Sequence, residues 1–154
     1  MSSVIDALYQ LKYNPFKYGE HIASFYSTIQ NVEKNLLLAP LIIPLCTHPT
    51  FGTSLSSAVF GEKKKSSIWT IFNDRANLYD LQERISEFQS LTEKCIQFCL
   101  TNDWLAIDDK NLSLEYITTS DQKFILQKNA ANFGKLVSGH SVIELYAFLG
   151  VKPR

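Results

Sequence analysis

The chain has 154 residues, 45% of them hydrophobic, 12% aromatic and 19% charged, which suits one domain with a sizeable core. This composition excludes a disordered segment, a collagen-like repeat and a disulfide scaffold. The 15 basic and 15 acidic residues cancel, so contact with nucleic acid or membrane would need a local patch. Three cysteines are an odd number, and Cys95 and Cys99 fall one helical turn apart in an apolar stretch, which points to a reducing, cytoplasmic location. Met1 to Leu11 lacks the layout of a secretory signal. The most apolar run, Leu36 to Leu45, is far shorter than the about 20 residues of a membrane span, so no membrane contact is expected.

In chain order, Asn14 and Pro15 cap and open a first helix, with Tyr18, Ile22, Phe25, Tyr26 and Ile29 on one face. Glu33 to Cys46 is apolar nearly all round and reads as a buried central helix bent by Pro40 and Pro44. Between His48 and Ser67 the composition turns to Thr, Ser, Gly and Lys, which predicts the least ordered stretch. From Leu78 to Cys99 the apolar positions step by three and four, giving a long amphipathic helix with Asp80 and Arg84 paired on its outer face. Trp104 to Ile107 and Leu112 to Tyr116 flank polar turn residues and read as a β-hairpin. Ser120 or Asp121 caps a helix through Phe124, Ile125, Ala130, Phe133 and Val137. Ser141 and Glu144 form a capping box for the last helix, which Gly150 and Pro153 stop. The expected fold is a single α+β domain over 1–154, mostly α-helical and winged-helix-like. A long helix plus hairpin wing occupies 78–117, and C-terminal helices occupy 118–154.

No catalytic constellation emerges. Glu62-Lys63-Lys64 spells the E-x-K of metal-dependent nucleases, but no Asp or Glu occurs between Glu33 and Glu62 to supply a second metal carboxylate. Gly134-Lys135 lacks the remaining residues of a phosphate loop, with Asn129 and Leu136 at the key positions. Cys46, His48, Cys95 and Cys99 are soft ligands, yet Cys-x-His is not a usual zinc knuckle, and the cysteines read as small buried hydrophobes. Spacing does not decide whether His21, His48 or His140 meets a nucleophile in space, and no local signature supports it. The three histidines read as surface or capping residues. No cofactor, metal or catalytic residue is therefore expected. Lys63, Lys64 and Lys65, with Arg75 and Lys110, are the candidates for phosphate or partner contact. Phe60, Ile68, Trp69 and Phe72 are candidates for a partner interface, since aromatic residues are enriched at such sites.

Asn14-Pro15-Phe16, Leu38 to Leu45 with His48-Pro49, Ile68-Trp69, Arg75-Ala76, Asn102 to Leu105, and Phe133-Gly134-Lys135 through Leu149 to Pro153 follow one another in a set order. Together these segments resemble the middle component of three-component ABC systems, the group that includes the LmuC subunit of Lamassu defence systems. The resemblance implies a non-catalytic adaptor subunit acting against phage or plasmids. It would bridge an SMC-like or Rad50-like ABC ATPase to an effector protein, often a nuclease, with weak or indirect DNA contact. The alternative is a stand-alone winged-helix DNA-binding regulator. The helix before the hairpin carries Glu87 and Glu93 among its outward residues, which would repel DNA.

Overall fold

The computed structural model describes residues 4–61, 65–121 and 123–152. It is mostly helical, with one two-stranded antiparallel sheet among those residues. Helix α1 (Val4–Lys12) was not foreseen; it meets α2 (Pro15–Thr28) at Asn14. Asn14 caps α2 as expected: its Oδ1 accepts from Lys17 N at 2.9 Å, while its Nδ2 donates to the Leu11 carbonyl at 3.0 Å and ties down the end of α1.

The central segment departs from one continuous helix. Lys34 lies in the left-handed region, a 3-10 turn covers Asn35–Leu38, and α3 spans only Ala39–Cys46. Pro40 sits in the first turn of α3, where its missing N–H costs nothing. The chain bends by 105° into α4 (Pro49–Ser56). That helix occupies the first part of the stretch expected to be the least ordered. His48 caps it, with Nδ1 accepting from Thr50 N at 3.1 Å and Phe51 N at 3.3 Å, and Phe51 and Leu55 bury its inner face. No single helix among the described residues is long and apolar enough to cross a membrane.

Two single turns follow, α5 (Ile68–Ile71) and α6 (Arg75–Leu78), and then α7 (Leu81–Thr101). The long helix thus starts three residues later than its periodicity suggests. Its Arg84 turns inward instead of pairing with Asp80: Nη2 donates to the Pro44 carbonyl and to Thr47 Oγ1, each at 3.0 Å. A cation there satisfies the end of α3, where carbonyls lack helical partners.

Strands β1 (Leu105–Asp108) and β2 (Ser113–Tyr116) pair in the register Leu105↔Tyr116 and Ile107↔Leu114. The hairpin is fastened to the core by Asn35. Its Oδ1 accepts from Leu114 N at 2.8 Å, its Nδ2 donates to the Leu114 carbonyl, and Leu36 N donates to the Leu112 carbonyl. Trp104 is buried at the base of the hairpin against Phe98 and Phe124. Phe88 is buried too, but it packs on Tyr13 and not under the hairpin.

The next helix begins at Lys128 and not at Ser120 or Asp121: α8 is Lys128–Val137. The preceding residues give their N–H groups to α2, Ile125 to the Glu20 carboxylate and Gln127 to Ser24 Oγ, which holds them extended. Helix α9 (Val142–Leu149) has the Ser141 cap and a left-handed Gly150, as expected. Only half of its capping box forms, because the Glu144 carboxylate turns to His140 Nδ1 at 3.1 Å. The complete box belongs to Ser67 and Thr70 on α5. One continuous cluster of buried side chains draws on α2, α3, α4, α7, α8 and α9.

Candidate functional site

Residues 58–61 and 65–75 lie against the surface formed by α8 and α9. They are joined locally by an antiparallel bridge between Phe60 and Lys65 and by Ser66, whose N–H and Oγ both bond the Val59 backbone. Half-buried Phe60 lies under Lys135 of α8, with Nζ 5.3 Å from the ring centroid. Between Phe60, Lys65, Lys135 and His140 is a cleft of about 290 Å³.

The capping box of α5 fixes what its side chains do. Ile68 and Phe72 are i,i+4 neighbours that point into the core, each 1% exposed. Trp69 faces outward at 45% exposure and packs edge-on against Phe148, at 4.5 Å between centroids, and against His140. Of the four candidates for a partner interface, Ile68 and Phe72 complete the core, while Trp69 and part of Phe60 remain at the surface. Arg75 stacks on Phe148, 4.7 Å from its centroid, and its Nη1 donates to the Phe148 carbonyl at the end of α9. One of its five N–H groups thus closes a helix end, and the side chain is exposed beside Trp69.

Of the candidate lysines, Lys65 is exposed beside the cleft, whereas Lys63 and Lys64, with Glu62 of the E-x-K, lie outside the described residues. Lys110 is exposed in the hairpin turn, on a part of the fold anchored to Asn35 and α2, apart from the strip formed by Phe60, Lys65, Trp69, Lys135 and His140. The structure thus unites two of the sequence candidates with Phe60 and adds Lys135, His140 and Phe148. Those three were illegible as site residues, because only the packing of Phe60, Trp69 and Arg75 on α8 and α9 brings them together.

The thiols considered as zinc ligands are buried on α3 and α7. Burial pushes Cys95 and Cys99 up to about 12 and Cys46 higher still, so all three are protonated at neutral pH. Cys99 Sγ donates to the Gly19 carbonyl at 3.2 Å. Among the described residues no group of three or more His, Cys, Asp or Glu could hold a metal ion. His48 is a cap, and its imidazole is held below the usual value by burial and by nearby Arg84. His21, expected at the surface or at a cap, is instead buried on α2.

A small α+β domain that carries an exposed aromatic and basic strip on a well-filled core has the build of a binding module. Residues 2–153 match the family model of the ABC-three component (ABC-3C) system Middle Component 3. The chain belongs to this family and is a middle component of a three-part ABC system, so its partners are an ABC ATPase and a further component. No curated protein and no solved structure matches the chain.

Proposed function

We propose that this chain works as a single domain over 1–154, a non-catalytic adaptor in a cytoplasmic, Lamassu-like complex that defends against phage or plasmids. It bridges an SMC-like or Rad50-like ABC ATPase to an effector, often a nuclease. The observation that carries this reading is the family match over nearly the whole chain. The strip around Trp69 supplies the contact. Trp is over-represented among interface hot spots, and half-exposed Trp69 already rests on Phe148 and His140, so little side-chain freedom is left to lose on binding.

The competing regulator reading draws on the order of α7 and the hairpin. Against it, the exposed side of α7 carries Glu83, Glu87 and Glu93 beside Lys94, a poor surface for DNA phosphates. Co-expression with the products of the neighbouring genes tests the proposal. The wild-type chain should co-purify with both partners, and Trp69→Ala should weaken one contact by about 30-fold or more, as expected on truncating a hot spot. The purified chain alone should neither hydrolyse ATP nor cut DNA. Failure to co-purify, or metal-dependent cleavage by the chain alone, would overturn the adaptor reading.

A further inference from the structure

Helix α1 presents an apolar face that its own chain leaves uncovered. Val4, Leu8 and Leu11 recur at helical spacing with Ile5 beside them, and the four are 76%, 58%, 73% and 76% exposed in that order. The helix cannot swing freely onto the body. Asn14 bonds both the Leu11 carbonyl and Lys17 N, and the adjoining Tyr13 packs edge-on against Phe88.

The same chain carries a groove of matching character. It runs between the 3-10 turn with α3 on one side and α7 on the other, has a volume of about 420 Å³, and is walled by Leu36, Leu37, Pro40, Ile85 and Ile96. Glu93 stands exposed at its rim, and Lys12 stands exposed in the last turn of α1. We propose that two copies of this chain associate by exchanging α1, each helix seating Val4, Leu8 and Leu11 in the groove of the other copy.

Polarity, charge and area all favour a second copy as the occupant. An apolar helix face meets an apolar groove, and Lys12 approaches the oppositely charged Glu93. At roughly 100 Å² for each aliphatic side chain, two exchanged helices and the walls they cover bury on the order of 1,200 Å² or more, within the range of specific interfaces. A two-fold exchange also closes, so it ends at a dimer and does not propagate into fibres.

Light scattering on the purified full-length chain tests this without either ABC-system partner, so its failure leaves the adaptor reading standing. The wild-type chain should run at twice the chain mass. Leu8→Glu on the helix and Ile96→Glu in the groove should each weaken association by about 100-fold or more, because a charge would have to leave water for an apolar contact. An equimolar mixture of the two variants should form a heterodimer, since one intact helix and one intact groove remain. Circular dichroism checks that each variant is folded. Should Ile96→Glu fail that check, Gln89→Trp, which plugs the groove from an exposed position, takes its place. A wild-type chain that stays monomeric up to its solubility limit overturns the proposal. So does a Leu8→Glu chain that still dimerises, or a mixture that stays monomeric.

Discussion

On α2, His21 is 9% exposed, its ring lies 5.1 Å from that of Tyr18, and its Nδ1 makes no hydrogen bond among the described residues. Burial holds this imidazole down at about 4. The Lys17 carbonyl pulls the other way, and the Lys17 charge adds a smaller lowering. In the unfolded chain the group titrates near 6.5. Above that value both states are neutral and the full stability is present. As pH falls from 6.5 towards 4 the unfolded chain takes up a proton that the folded chain refuses, so stability is lost over that window and levels off below it. The shift corresponds to about 3 kcal/mol at most. His48, also held low by burial, adds a loss in the same direction. Urea unfolding at pH 7 and pH 4.5 should show the wild type losing stability between the two, and His21→Phe should lose about 2 kcal/mol less. Equal losses in the two proteins would mean that the folded chain takes up the His21 proton as readily as the unfolded chain does.

At the scale of elements, two joints decide how the pieces meet. Asn35 behaves as a short extra strand, exchanging both of its amide bonds with Leu114 of β2. Asn35→Ala would leave the Leu114 N–H without its 2.8 Å partner and should cost about 1–3 kcal/mol, the penalty for an unsatisfied buried group. Hydrogen exchange should show faster opening of the hairpin while α7 stays protected. The second joint is the crossing of α2 and α8. Thr28 Oγ1 donates across it to the Ala131 carbonyl at 2.7 Å, and a Cβ at Gly134 would run into Thr28 Oγ1 and the Phe25 carbonyl. Because one obstacle is backbone, Gly134→Ala should force the helices apart and destabilise by about 1–3 kcal/mol, read as a lower thermal midpoint. Elements whose reasons are local could be read from the sequence: the Asn14 cap, the periodicity of α7, the hairpin, and the Ser141 start with its Gly150 stop. Elements whose reasons are tertiary could not. The apolar run at Leu36 to Leu45 looks like one helix until Asn35 is claimed by β2, and Phe124 to Gln127 looks helical until α2 takes its N–H groups. Helix α4 was hidden by its Thr, Ser and Gly content, although His48-Pro49 followed by Phe51 and Leu55 was the available signal. For the candidate site, the sequence singled out Phe60, Lys65 and Trp69, but Lys135 and His140 join them only through packing.

For the molecule as a whole, the question is what the strip around Trp69 meets. Its free basic side chains among the described residues are Lys65 and Lys135, and the latter already lies over the Phe60 ring. A duplex held by electrostatics alone engages several phosphates, so Lys65 and Lys135 would need further basic residues beside them to hold one. Two lysines beside an exposed Trp and a half-buried Phe suit an acidic protein surface better, because the aromatic rings supply the buried contact and the charges supply orientation and speed of encounter. Reversing both charges, Lys65→Glu with Lys135→Glu, should therefore slow and weaken assembly with one ABC-system partner by about 10- to 100-fold, with the loss largest at low salt. Neither residue is buried, so the melting temperature of the isolated chain should barely move. Surface-based binding kinetics at two salt concentrations, run beside a thermal melt, separate the outcomes. If assembly is unchanged while DNA affinity falls with a salt slope shallower by roughly two, the strip faces nucleic acid and the protein-contact reading is wrong. If neither changes, the strip is ordinary solvated surface, and the adaptor's contacts must be sought elsewhere on the fold.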